Sequence, residues 1–350
     1  TEGINIFGWQ VFEGGIMGVA LGVVLGGVMQ LIVSSLGLIG IGFEYEFKIA
    51  WRNKGFQRVL ELLPARSLDQ GIDYINTVVE TSLASRLTDG MVRYYQQALT
   101  LHMVPINLIG VAISTAAFPQ MTERLSQGRP DLFKKELQSV LRVIIWLAIP
   151  TAVITYFGRG YLASFLFNGG NRFVASTLGI LSFAILFRSI YHIASRAFYA
   201  QQDTRTPLYI SIVTIGLNIT LAVLFTMKFG WGISGLAAAQ AIISGFEVML
   251  LFIIMSTKIK GIFDAPFRRA ISRMVLAAIP TAILTYITIA QFPLAVGDQS
   301  FASTFPKFAL AAFVGLTTYV IVCKIARLKE ATEFIEKVRS VLFVQFRGRA

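Results

Sequence analysis

Charge, cysteine and histidine are all scarce in this chain of 350 residues. Only 14% of its residues are charged, and it holds one cysteine, Cys323, and two histidines, His102 and His192. A lone cysteine in an apolar run excludes a disulfide framework and a thiolate metal cluster. Two histidines argue against a histidine-rich metal site. No Walker sequence, zinc motif or Ser/His/Asp arrangement occurs, so the chain reads as a non-enzyme with no metal site. The opening Thr1-Glu2-Gly3 carries no basic n-region of a secretory signal. What is abundant is apolar surface: 55% hydrophobic residues and a mean hydropathy of +0.66, outside the soluble range.

A bilayer is crossed by about 20 apolar residues. Nine such segments are expected, at 11–36, 59–86, 91–121, 140–163, 173–200, 207–227, 231–255, 271–291 and 305–326. The fold class is therefore an all-α, polytopic membrane protein. The net charge of +12 is assigned to loops facing anionic lipid rather than to nucleic acid. One side of the membrane collects 23 basic residues and the other 6, so the C-terminus is expected to be cytoplasmic. Nine spans then leave the N-terminus outside without a signal, an oddity that upstream helices would remove. Residues 130–137 read as an interfacial connector into the fourth span, and 328–346 as a basic amphipathic helix.

Polar residues inside such spans are costly and point to cavities or ligands. In the fifth span Arg188, His192 and Arg196 recur every four residues and share one stripe. Arg188 lies deepest, with no carboxylate beside it in sequence, and is the leading anion ligand. Arginine suits that task because its fork binds phosphate bidentately and stays charged. The stripe runs into Gln201-Gln202-Asp203-Thr204-Arg205-Thr206-Pro207, where Pro207 is expected to break the helix. In the second span Arg66, Asp69, Asp73, Asn76 and Glu80 fall within an arc of about 80°. That acidic stripe suits proton or sodium coupling. In the third span Arg93, Gln97, Thr100 and Asn107 share a face, with Pro105 disturbing the phase beyond it, and His102 points to the other side. Residues 110–117, rich in Gly, Ala, Ser and Thr, are suited to close helix contact. Glu13 and Glu247 read as isolated, solvated acids near span ends.

These residues, taken together, resemble the MurJ/MviN lipid II flippases of the MOP exporter superfamily. The resemblance rests on Ala197-Phe198-Tyr199-Ala200-Gln201-Gln202-Asp203-Thr204-Arg205-Thr206-Pro207 and on the Gly22-to-Leu31 helix. It also rests on Leu63-Pro64 through Asn76 to Ser85, and on Tyr94-Tyr95 to Phe118-Pro119. It implies nine helices that match the sixth to fourteenth of a fourteen-helix MOP-type fold, the first five being absent. The domains would be 1–36, the last helix of an N-terminal lobe; 37–58, a cytoplasmic linker; and 59–255, a six-helix C-terminal lobe. Residues 256–326 would be two helices grooved for a lipid tail, and 327–350 a cytoplasmic tail.

The resemblance further implies a flippase that carries lipid II, or another polyprenyl-pyrophosphate-linked glycan, across the bacterial inner membrane by alternating access. Its drive would be Na+, H+ or the membrane potential, with no bound cofactor. Membrane lipids and cell-wall synthesis proteins are the implied partners, and nucleic acid is not. Substrate-binding candidates are Arg188, Arg66, Arg93, Arg196, His192, Gln97 and Asn76; ion-coupling candidates are Asp69, Asp73 and Glu80. The family's Asp-Arg pair in the third span is replaced here by Leu99-Thr100, so Arg93 or Arg66 is expected to supply the missing charge. Alternative readings are a polysaccharide-type or cation-coupled drug exporter of the superfamily, or a transport-dead cell-wall scaffold.

Overall fold

The computed structural model describes residues 5–6, 9–10, 16–37, 51–166, 171–294 and 300–347. Within its helices some side chains lie outside the described residues, among them all those of 61–70 and that of Asp73. The chain divides into two units, Thr1–Glu61 and Leu62–Ala350.

The first unit begins with a small antiparallel hairpin of β1 (Asn5–Ile6) and β2 (Trp9–Gln10), with Asn5 opposite Gln10 and Ile6 opposite Trp9. The expected first span therefore starts later than residue 11, as α1 (Ile16–Leu36). Helix α2 (Lys54–Ser85) starts in this unit and absorbs the end of the expected 37–58 linker.

Among its described residues, every regular element of the second unit is a helix. A continuous rod runs through α3 (Met91–Pro105), a π-helical turn (Ile106–Val111) and α4 (Ala112–Ser126). Gly90, in the left-handed region at φ 85°, lets the chain turn into α3. Next come α5 (Pro130–Leu166), α6 (Arg172–Ala200) and α7 (Arg205–Val223), the last extended by a π turn over Leu224–Lys228. The remaining helices are α8 (Ile233–Lys258), α9 (Ala265–Gln291), α10 (Phe301–Ile325) and α11 (Lys329–Arg347).

Among the described residues seven helices are long and apolar enough to cross a membrane: α3–α4, α5, α6, α7, α8, α9 and α10. Helix α2 is long, but its Arg, Asp, Asn and Glu residues keep it too polar by composition. The expected interfacial connector is no separate helix. With Pro130 at the first helical position and Asp131 in the first turn, α5 starts there and runs unbroken into its span.

Helix α6 sits at the centre of the packing. One face, with Val174, Leu178 and Leu181, meets Ala98 and Ala163. Its later turns, with Ile193 and Phe198, join Leu141, Ile144, Leu251 and Met274 in the largest core. A third core gathers Leu83, Ala84, Tyr95, Ala222 and Leu236 from α2, α3, α7 and α8. At the far end α11 is clamped to α5 by Arg142 and Glu330 and by the rings of Trp146 and Phe334, 5.4 Å apart.

Candidate functional site

The stripe of α6 splits between two neighbours. Arg188 reaches α8, where its Nη1 lies 3.6 Å from Glu247 Oε2. Glu247 is no isolated solvated acid: it is buried, halfway along α8, and also accepts hydrogen bonds from Ser211 Oγ (3.5 Å) and Thr214 Oγ1 (3.3 Å) of α7. The reading of Arg188 as having no adjacent carboxylate is corrected in the same way. The two residues are far apart in sequence, and only the packing of α6 on α8 joins them. Removing two charges from water is expensive unless they are paired and hydrogen-bonded, and here the hydroxyls complete the pairing. The Arg188 guanidinium also lies 6.0 Å from the Tyr191 ring. The Tyr191 and Ser211 hydroxyls are 3.4 Å apart. The Arg188 side chain keeps 28% of its surface exposed, against 6% for Glu247, so the cation remains reachable while its counter-ion is covered.

His192 and Arg196 turn the other way, toward the π turn. Pro105 brings no amide, and the rod widens into that turn just after it. A Cβ on Gly110 would lie 2.7 Å from Ser189 Cα and 3.2 Å from His192 Cδ2. Only glycine permits this approach of two helices, as the small-residue segment predicted. Arg196 donates to the Val111 carbonyl at 3.2 Å and to Ser114 Oγ. Both its partners belong to the helix rod, so Arg196 ties α6 to the start of α4. His102 is buried in the bundle, as expected.

A second polar centre sits one turn along α7. Asn218 follows Thr214 by four residues, about 6 Å of helix rise. Its Nδ2 donates to Asn76 Oδ1 (2.8 Å) and Glu80 Oε1 (2.9 Å). Asn76 Nδ2 adds a bond to Glu80 Oε1 at 3.1 Å, and the Tyr95 hydroxyl one to Oε2 at 2.8 Å. Glu80 is thus a buried carboxylate with donors from α2, α3 and α7. Ser211, Thr214 and Asn218, spaced i, i+3 and i+7, form one polar face of α7. That periodicity was visible in the sequence and was missed; the burial of Tyr95 and Glu247 had no sequence signal.

The other candidates lie apart. Arg93 is exposed and Gln97 half-buried. Tyr94 stacks on Phe173 with ring centroids 6.0 Å apart, which sets Arg93 level with the start of α6. Arg188 is fifteen residues further along that helix, about 22 Å of rise. The Arg93 backbone is therefore set well away from that of Arg188 along the helix. The side chains of Arg66, Asp69 and Asp73 lie outside the described residues, as does Glu13. No group of three or more His, Cys, Asp or Glu suited to a metal occurs among the described residues.

The turn after α6 also differs from expectation. The helix stops at Ala200, and Gln202 adopts a left-handed φ of 59°. Pro207 does not break a helix; it sits in the first turn of α7, where a missing amide costs nothing. Asp203 caps that turn, accepting from the Thr206 amide at 3.0 Å and hydroxyl at 2.6 Å, and it pairs with Lys258 at the end of α8. Burial pushes its pKa up, but the Lys258 ammonium and the two Thr206 donors outweigh it and bring it from 3.8 to about 2.

Membrane-length helices packed around a half-buried cation and two buried carboxylates define a polytopic helical membrane protein. Residues 3–304 match the family model described as "Lipid II flippase MurJ", and the chain belongs to that family. The "Probable lipid II flippase MurJ" of Borreliella burgdorferi is 25% identical over 69% of this chain and 48% of its own length. The protein of the same name from Vibrio cholerae is 23% identical over 91% of this chain and 62% of its own. The chain thus spans about half to three-fifths of these curated relatives. A solved structure, "Lipid II flippase MurJ, inward closed conformation", shares the fold at a TM-score of 0.64 with 21% identity, covering 84% of this chain and 59% of that one.

Proposed function

We propose that this protein moves lipid II, a polyprenyl-pyrophosphate-linked precursor of the cell wall, between the leaflets of the bacterial cytoplasmic membrane by alternating access. The observation that carries this reading is Arg188: a reachable guanidinium in the middle of an apolar helix, in a chain whose residues 3–304 match the lipid II flippase family. A pyrophosphate matches the bidentate fork of arginine. The family match favours this reading over a polysaccharide-type or drug exporter and over a scaffold without transport.

In this account Glu247 holds Arg188 in place when no substrate is bound, and the head group's charge engages Arg188 as it enters. Gln97 and Asn76 would contribute polar contacts. Arg66 would supply the charge that Thr100 lacks, and Arg93 would act at the far end of the helix rod. Glu80 is the described acid through which sodium or proton coupling would run, with Asp69 and Asp73 on the same helix. The helices of this chain would correspond to the sixth to fourteenth of the family fold, with the polyprenyl tail held between α9 and α10. The basic loops and α11 would face the cytoplasm, where cell-wall synthesis proteins would meet them.

The test is translocation of fluorescent lipid II in vesicles reconstituted with the full chain. Wild-type protein should move the lipid, and Arg188→Ala should slow it at least tenfold. No movement by the wild type, or an unaffected variant, would sink the reading.

A further inference from the structure

An apolar crevice of about 740 Å³ opens between α8 and α9, with α5 and α6 as its floor. Its walls include Gly245, Phe252, Phe267, Ile271 and Val275, and α10 contributes none of its lining. It is therefore a different feature from a groove between α9 and α10. Along α8 the lining runs from Gly245 to Ser256, eleven residues or about 16 Å of rise. That is close to one leaflet's half of a hydrocarbon core about 30 Å thick. At one end the crevice adjoins a second hollow lined by Arg268, Arg269, Ser272 and Arg273, and Arg268 and Ser272 line both.

The charged residues that line that hollow are all arginines. Arg268 and Arg269 stand near the N-terminus of α9, whose first turn holds no acidic residue. They form no salt bridge among the described residues. The capping Asp264 spends its carboxylate on the Phe267 amide at 2.9 Å, and Arg273 gives one donor to the Ala326 carbonyl at 3.1 Å. Cations near a helix N-terminus are opposed by the helix dipole, and an anion placed there satisfies both. An apolar slot about one leaflet deep with a basic mouth is the outline of an anionic phospholipid.

We propose that this crevice binds one anionic phospholipid of the surrounding bilayer, an acyl chain lying between α8 and α9 and the phosphate on Arg268 and Arg269. The proposal does not depend on lipid II transport, and its test reads no translocation. The full chain in detergent is titrated with phosphatidylglycerol or phosphatidylcholine, and bound lipid is counted by native mass spectrometry. Two variants are compared, R268Q/R269Q at the mouth and M249W/V275W within the slot. All four side chains are exposed at their positions, and circular dichroism checks that the helices persist.

Wild-type protein should hold one phosphatidylglycerol at least tenfold more tightly than phosphatidylcholine. R268Q/R269Q should lose that preference, and M249W/V275W should lose the bound lipid. Equal retention of both lipids by the wild type, or wild-type behaviour of R268Q/R269Q, would overturn the proposal. So would loss of undecaprenyl phosphate binding in M249W/V275W with phosphatidylglycerol retained, because the slot would then belong to a polyprenyl tail.

Discussion

Helices α6 and α9 are nearly alike in length and hydropathy, yet they occupy opposite environments. Of the apolar stretch of α6, 56% is buried, against 22% for α9. Helix α6 carries Arg188, His192, Arg196 and several serines, and pairs Arg188 with Glu247 and Arg196 with Val111 and Ser114. Helix α9 shows Val275, Leu276, Ile279 and Ile283 to its surroundings and keeps its buried threonines for the side facing α10, where a Cβ on Gly315 would lie 2.6 Å from Thr285 Oγ1. Hydropathy finds both spans equally well. What separates them is where polar side chains fall around the helix, because lipid accepts none while a protein interior accepts those it can pair.

Five variants test this contrast, from the largest effect to the smallest. Glu247→Ala leaves Arg188 without its buried counter-ion and should cost about 3–5 kcal/mol, read as a lowered Tm in detergent. The double variant Arg188→Met/Glu247→Leu removes both charges and should recover most of that loss. Gly110→Val forces a side chain into the backbone of Ser189 and should cost about 1–3 kcal/mol, read in the same melt.

Asp203→Asn removes the Lys258 bridge and weakens the cap of α7, at a cost of about 1 kcal/mol. Because Asp203 titrates at about 2 rather than 3.8, its stabilising contribution is complete above about pH 4 and fades as the pH falls through about 2. The variant should lose that acid-dependent step in a pH series of melts. On α9, Ile279→Ala should stay within about 0.5 kcal/mol. A larger loss there would mean that α9 is covered by protein and would remove the contrast.

Much of the frame was legible in the sequence. The apolar windows located the seven membrane-length helices, and the four-residue recurrence of Arg188, His192 and Arg196 marked the polar stripe of α6. Glycine at 110 beside Pro105 marked the close contact and the change of helical phase. The pairing of charges was not legible. Arg188 and Glu247 are separated by a whole intervening helix, and nothing local distinguishes a buried glutamate from a solvated one. Pro207 misled because proline suits a first helical turn as well as it ends a helix; the capping by Asp203 decides between the two. Helix α2 was assigned as a span from the length of its pattern, although its acidic stripe makes it too polar among the described helices.

The central claim is that Arg188 serves the substrate and Glu247 serves Arg188. The most direct measurement takes Arg188→Met/Glu247→Leu, confirms that its Tm is close to wild type, and follows lipid II translocation in vesicles. The account predicts a folded protein that no longer moves lipid II. Translocation at the wild-type rate by that stable double variant would contradict it.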